Sequence, residues 1–146
     1  MLSILGSADK QFGVQNITAQ DTLPLRHKVL WPDHPIEHSK VEGDEAASHF
    51  GGFYDGKLVC VASLFEDDGI RLRKFATDPD YQGQGFGSEM LAYLLERAKE
   101  TDATFFWFDA RESALPFYER NGFKPEGPRF FKNAVPYRRV RRSLAD

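Results

Sequence analysis

The chain has 146 residues, 41% hydrophobic and 14% aromatic, enough to bury a sizeable core in one domain covering residues 1–146. Its 19 Lys and Arg stand against 22 Asp and Glu for a formal net charge of -3, which gives no general basic surface and excludes nucleic acid as the expected partner. A single cysteine excludes an internal disulfide, and no apolar run approaches the ~20 residues that span a bilayer, so the expectation is a cytoplasmic protein without membrane contact.

Met1 to Gly13 has no basic start followed by a long apolar stretch, so no export signal is expected. Phe12 to Thr18, FGVQNIT, is the first strand candidate, and a helix follows from Ala19 to about Leu30, interrupted or begun by Pro24. Trp31 to Ser48 carries two prolines, a glycine and five acidic residues and reads as irregular, with at most a short helix. His34 and His38 within it straddle Pro35, which argues against one helical face and against a metal site.

The middle of the chain is more regular. HFGGFY and KLVCVASLF flank Asp55-Gly56, a strong type I′ hairpin signal because both central residues take positive φ. EDDG then turns Phe65 into IRLRKFAT, so three strands form an antiparallel meander. Leu58 to Phe65 is apolar on both alternating faces and should be covered on both sides, with Cys60 as a small core residue.

After the run DYQGQGFGSEM, Met90, Leu91, Leu94, Leu95 and Ala98 fall at helical spacing and predict an amphipathic helix. The buried strand TFFWFD, reached through that helix, implies a right-handed crossover to a parallel neighbour. Ser113 is placed to cap a helix ALPFYER, with Pro116 in its first turn and Gly122 as its left-handed end. The remainder reads as two strands joined by a turn. The basic YRRVRR there either touches a phosphate or is explained, without a ligand, by alternation on an exposed last strand.

Gly83, Gly85 and Gly87 lie between a strand and a helix N-terminus, where unpaired N–H groups and the positive end of the helix dipole make an anion site. Bare backbone lets a bulky anion such as a diphosphate approach. The P-loop pattern fails because Ser88-Glu89 follows Gly87 where a Lys is required. A dinucleotide fingerprint finds Ser88 at its third glycine, preceded by a strand containing Arg71, Arg73 and Lys74.

Gln82, Gly85 and Gly87 instead resemble the Gln/Arg-x-x-Gly-x-Gly/Ala acyl-CoA loop of the GNAT superfamily of N-acyltransferases. The later block ALPFYERNGFKPEG resembles that family's helix with an aromatic-Tyr pair ending in Asn/Lys-Gly-Phe. The resemblance implies an α/β fold, a mixed and mostly antiparallel sheet of about six to seven strands with about four helices. It also implies acetyl transfer from acetyl-CoA to a primary amine of a small molecule or peptide, by direct attack and without a metal. A non-catalytic acyl-CoA-sensing module acting on a protein partner is the alternative. The acceptor, the general base, the acyl group and the oligomeric state, a homodimer included, are left open.

Residue by residue, the resemblance implies that Phe75, Ala76 and Thr77 hold the pantetheine arm and the thioester carbonyl through backbone groups. It implies that Gln82, Gly83, Gln84, Gly85, Phe86, Gly87 and Ser88 cradle the diphosphate, and that Tyr118 meets the departing thiolate. Arg111 stands where the family often has Asn, so it either reaches a CoA phosphate or marks the loss of that contact. Arg26, His27, Trp31 and Arg73 are the acceptor-side expectations, and Arg71 shares a strand face with Arg73 that either suits an acceptor carboxylate or is a solvated edge. His27, His49 and Glu66 are candidate bases by residue type, alongside a chain of waters.

Overall fold

The structure is a computed structural model describing residues 11–145; residues 1–10, on which the export-signal expectation rests, lie outside it. Seven strands, β1 (Phe12–Ile17), β2 (Ser48–Tyr54), β3 (Lys57–Glu66), β4 (Ile70–Thr77), β5 (Phe105–Arg111), β6 (Pro125–Lys132) and β7 (Val135–Ser143), form one sheet in the order β1-β2-β3-β4-β5-β7-β6. Among the described residues three α-helices accompany them: α1 (Ala19–Leu25), α2 (Phe86–Lys99) and α3 (Leu115–Arg120). The expected fourth helix is absent among the described residues. Residues 31–47 carry only 3₁₀ turns at Ile36–Ser39 and Asp44–Ala46, with Gly43 at φ +91° before the second. The chain divides into two compact units, Met1–Phe65 with Arg73–Leu94 and Glu66–Leu72 with Leu95–Asp146.

In the first unit, Asp55 and Gly56 at φ +53° and +79° make the predicted hairpin turn between β2 and β3. Residues Val59 to Leu64 are buried on both faces, as their continuous apolar run requires. Thr18 and Asp21 form a reciprocal capping box at the start of α1, each side chain bonding the other's N–H at 3.1 and 3.0 Å. Pro24 sits inside α1, and its missing N–H is followed by a widened π turn over Arg26–Leu30 in place of the continuous helix expected. Leu25, Val61 and Ala76 close the core, with Ile17, Val29, Leu30 and Leu58 packed on them.

A polar cluster fastens the irregular segment to this core. Arg26, 0% exposed, forks onto Asp44 at 2.8 and 3.0 Å and also reaches Ser63 Oγ at 3.0 Å and the Ser39 carbonyl at 3.1 Å. His49 lies 2.8 Å from the Asp44 carbonyl through Nε2 and 2.7 Å from Ser63 Oγ through Nδ1. A carbonyl only accepts, so Nε2 carries the hydrogen and Nδ1 accepts from the Ser63 hydroxyl, which closes the ring of partners. Burial alone would raise the Asp44 carboxyl, yet the Arg26 guanidinium and the Val41 N–H hold it below the usual carboxylate range.

In the second unit, β4 and β5 run parallel at Ile70↔Phe106 and Arg71↔Trp107, and β5, β7 and β6 continue antiparallel. Phe106, Phe108, Phe123 and Val140 are buried, with Phe108 and Phe123 rings 5.5 Å apart. Ser113 does not cap α3: it lies in a 3₁₀ turn over Glu112–Ala114, which moves the helix start to Leu115 behind Ala114. Pro116 still falls in the first turn, where an N–H is unpaired anyway. Gly122 at φ +87° ends the helix, with Gly122 N–H on the Glu119 carbonyl and Phe123 N–H on the Tyr118 carbonyl.

Candidate functional site

Within the first unit, the loop between β4 and α2 is built in four steps. Lys74 takes φ +57° in mid-strand, a left-handed conformation that a non-glycine residue rarely adopts and that breaks the in-out alternation before Phe75, Ala76 and Thr77. Asp78 then ends the strand: its N–H bonds the Val59 carbonyl at 2.8 Å, and its buried carboxylate caps Asp80 N–H at 3.0 Å and meets Lys28 Nζ at 3.1 Å. The Asp80 N–H foremost, with the Lys28 ammonium, holds that carboxyl below its ordinary range.

A 3₁₀ turn at Pro79–Tyr81 leads to Gln82, whose side-chain amide bonds back to the Thr77 carbonyl at 3.0 Å and closes the loop neck. Gly83 and Gly85 follow at φ +80° and +88°, and a Cβ at either would meet nothing within 4 Å. These glycines are therefore required by backbone conformation, and the space beside them is open.

Glu89 N–H bonds the Gly85 carbonyl at 3.1 Å, so α2 begins at Phe86 and the N–H groups of Phe86, Gly87 and Ser88 have no intrahelical partner. The Phe86 side chain is buried, stacked on Phe12 at 4.6 Å and tilted on Tyr54 at 4.8 Å. It anchors the helix start, and only its backbone is available to a ligand. Gln82, Gly83, Gln84 and Gly85 are exposed. The geometry is a neck, a bare exposed arc and the positive end of a 14-residue helix.

Cys60 lies under this strand end and accepts a hydrogen bond from Thr77 Oγ1 at 3.4 Å. Burial pushes its thiol up to about 11, so it stays protonated.

The acceptor-side expectations fare unequally. Arg26 is contradicted: it faces the interior and its fork is taken by Asp44, so it cannot contact an acceptor. His27 donates through Nε2 to the His34 carbonyl at 2.7 Å, Trp31 lies under Lys74 Nζ at 4.6 Å, and Arg73 stacks on Phe65 at 5.2 Å. His49 is buried with both ring nitrogens engaged, which removes it as a base, and Glu66 is exposed at the end of β3. His34 and His38 stack at 4.2 Å, and among the described residues no group of three His, Cys, Asp or Glu could hold a metal.

In the second unit, Tyr118 is half-buried on α3, its ring 4.5 Å from Phe108 and 5.1 Å from Phe117. Burial raises its phenol above the ordinary value, and among the described residues its hydroxyl has no hydrogen-bond partner. A neutral O–H with nothing to donate to is suited to receiving an anion. Arg111 is exposed at the end of β5, opposite Tyr137. No local signal marks Lys74 as a loop-shaping residue, whereas Asp78-Pro79 is a turn-starting pair.

Residues 15–123 match the model of the Acetyltransferase (GNAT) family. The chain belongs to this family. YitI of Bacillus subtilis (strain 168), an uncharacterised N-acetyltransferase, is 33% identical over 127 residues, covering 80% of this chain and 85% of its own. The [ribosomal protein bS18]-alanine N-acetyltransferase of Escherichia coli (strain K12) is 36% identical over 73 residues, 47% of this chain and 49% of its own. The crystal structure of the Escherichia coli ribosomal-protein-S18-alanine enzyme superposes with a TM-score of 0.77 at 18% identity, over 93% of this chain and 96% of that one. Spermidine/spermine N-acetyltransferase SpeG from Vibrio cholerae gives 0.72 at 16%, over 92% and 94%. The two structures share the fold, and the family assignment makes this GNAT chain an acyltransferase that uses an acyl-CoA donor. No described helix is long and apolar enough to cross a membrane.

Proposed function

We propose that the chain transfers the acetyl group of acetyl-CoA to a primary amine by direct attack in a ternary complex. The observation that carries this is the Gly83–Gly85 arc running into the free N–H groups of α2, which fits a diphosphate. Gln82 to Ser88 hold that group through backbone N–H donors, and Phe75 to Thr77 hold the pantetheine arm and thioester through the edge of β4. A backbone N–H there donates to the carbonyl oxygen as it becomes an oxyanion, an effect of about 3–4 kcal/mol in measured cases.

The acceptor must first lose its ammonium proton, since an alkyl ammonium near pKa ~10.4 has no lone pair. The amine nitrogen then forms the C–N bond, the C–S bond breaks, CoA leaves as a thiolate, and the nitrogen sheds its surplus proton to solvent to leave the neutral amide. Tyr118 donates its O–H to that thiolate. With its phenol raised by burial, full proton transfer is unfavourable, so the hydroxyl acts as a hydrogen-bond donor and remains protonated. That relatives in the comparisons act on a ribosomal-protein alanine and on spermidine or spermine supports a protein N-terminus or a polyamine as acceptor classes to screen first.

Tyr118→Phe tests the reading. The ring contacts to Phe108 and Phe117 persist, so folding and acetyl-CoA binding are expected unchanged while kcat falls about tenfold to a hundredfold. Unchanged kcat removes Tyr118 from the mechanism. Tight acetyl-CoA binding with no amine acetylated in a broad screen makes the chain an acyl-CoA-sensing module.

A further inference from the structure

On four adjacent strands of the second unit, cations gather around one carboxylate. Arg71 of β4 and Arg139 of β7 lie on the Trp107 ring, at 4.5 and 4.3 Å from its centre, and Lys132 of β6 joins them at Asp109 of β5. The pairings Arg71↔Trp107 and Asp109↔Arg139 put these groups on one face of the sheet. Trp107 is 7% exposed because the two guanidiniums cover it, and its indole N–H is fixed on the Asp67 carbonyl at 2.8 Å.

The cations are unequally satisfied. Arg139 Nε reaches Asp109 Oδ1 at 2.8 Å, a full charge-assisted bond. Every other contact is longer: Arg139 and Lys132 to Asp109 Oδ2 at 3.3 Å, Arg71 to the same oxygen at 3.4 Å, and Arg71 to Asp67 at 3.3 Å. Ideal distances for such pairs are about 2.7–2.9 Å. One oxygen is thus shared by three cations, and Arg71 Nε is buried with no partner at all. Asp67 and Asp109 together leave one positive charge in excess of their three cations. Lys132 and Arg139 side chains are 45% and 48% exposed, so the surplus is open to solvent.

We infer that this cluster is a binding site for a second oxyanion, a carboxylate or phosphate group, which takes the contacts that Asp109 makes only at long range. Arg71 supplies a planar fork, Lys132 an exposed ammonium, and Asp109 holds the cations apart and in place. In the acetyl-transfer reading the anion belongs to the amine acceptor, and that assignment alone rests on the proposed function.

The test uses the full chain, labelled with ¹⁵N, and follows the indole N–H signals of Trp107 and Trp31 as inorganic phosphate or glutarate is added at constant ionic strength. The expected result is a saturable shift of the Trp107 signal with Trp31 unmoved. Lys132→Gln should weaken the affinity about tenfold or more, and Lys124→Gln, an exposed charge outside the cluster, should leave it unchanged. The probe that binds more tightly identifies the anion. A shift reproduced by chloride, or one indifferent to Lys132→Gln, overturns the site. If the titration succeeds while no amine, acidic or neutral, is acetylated, the acetyl-transfer reading fails and the anion site stands; if neutral amines are acetylated and the titration fails, the reverse holds.

Discussion

Replacing Gly85 by Val separates the cost of a glycine conformation from the loss of a ligand contact. Gly85 sits at φ +88°, where a side chain strains the backbone by about 1–2 kcal/mol. Nothing lies within 4 Å of the added Cβ, so no clash is added in the free protein. For a chain of this size that strain lowers Tm by roughly 2–8 °C and leaves a folded protein. Ligand binding suffers more, because a branched side chain fills the open space beside the arc that a diphosphate would occupy. Losing two charge-assisted hydrogen bonds costs about 3–6 kcal/mol, a hundredfold or more in Kd. In a thermal-shift titration at about 100 times the wild-type Kd, CoA adds roughly 2.7 kcal/mol, or about 5–10 °C. The variant at the same concentration gains only about 0.4 kcal/mol, or about 1 °C. NADH should shift neither protein. A folded variant that keeps the full CoA shift, or a wild type stabilised by NADH and not by CoA, refutes the loop assignment.

Asp44→Ala should cost about 3–5 kcal/mol, measured by urea denaturation, since it strands the buried Arg26 guanidinium; a loss under 1 kcal/mol would show that the cluster is solvated. Stability should also fall in acid. Asp44, Asp78 and Asp109 all titrate below their ordinary range, Asp109 because Arg139 and Lys132 outweigh its burial. The unfolded chain therefore binds more protons, so this stabilisation is present above pH ~4 and is lost as pH falls through the folded values. Urea midpoints at pH 6 and pH 3 check the sign, and a midpoint that rises at pH 3 contradicts it.

Much of the fold was legible because it rests on local rules. Asp55-Gly56 demands its turn, the run from Val59 to Leu64 demands two covers, and Met90 to Ala98 repeats at helical spacing. The conformation of the loop before α2 was legible for the same reason, since Gly83 and Gly85 sit at positions that require positive φ. Tertiary contacts were not. Arg26 reads on paper as a polar residue near a helix end, and only the approach of Asp44, Ser63 and His49 from other elements shows it to be interior. Ser113 has the residue type of a cap, but one extra 3₁₀ turn displaces it. The Trp107 cluster draws on residues spread from Arg71 to Arg139, so no short window of the chain contains it.

The ring through Arg26, Asp44, His49 and Ser63 sets where this protein can be remodelled. Because Ser39 and Asp44 are the points at which it grips the irregular segment, the residues between Trp31 and His38 can be exchanged for those of a relative as a cassette while the grip holds. A cassette cut after Asp44 carries away the anchor and must bring its own counterion for Arg26. Among homologues the four ring positions should change together or not at all, and their joint replacement marks the lineages in which residues 31–47 have been rebuilt.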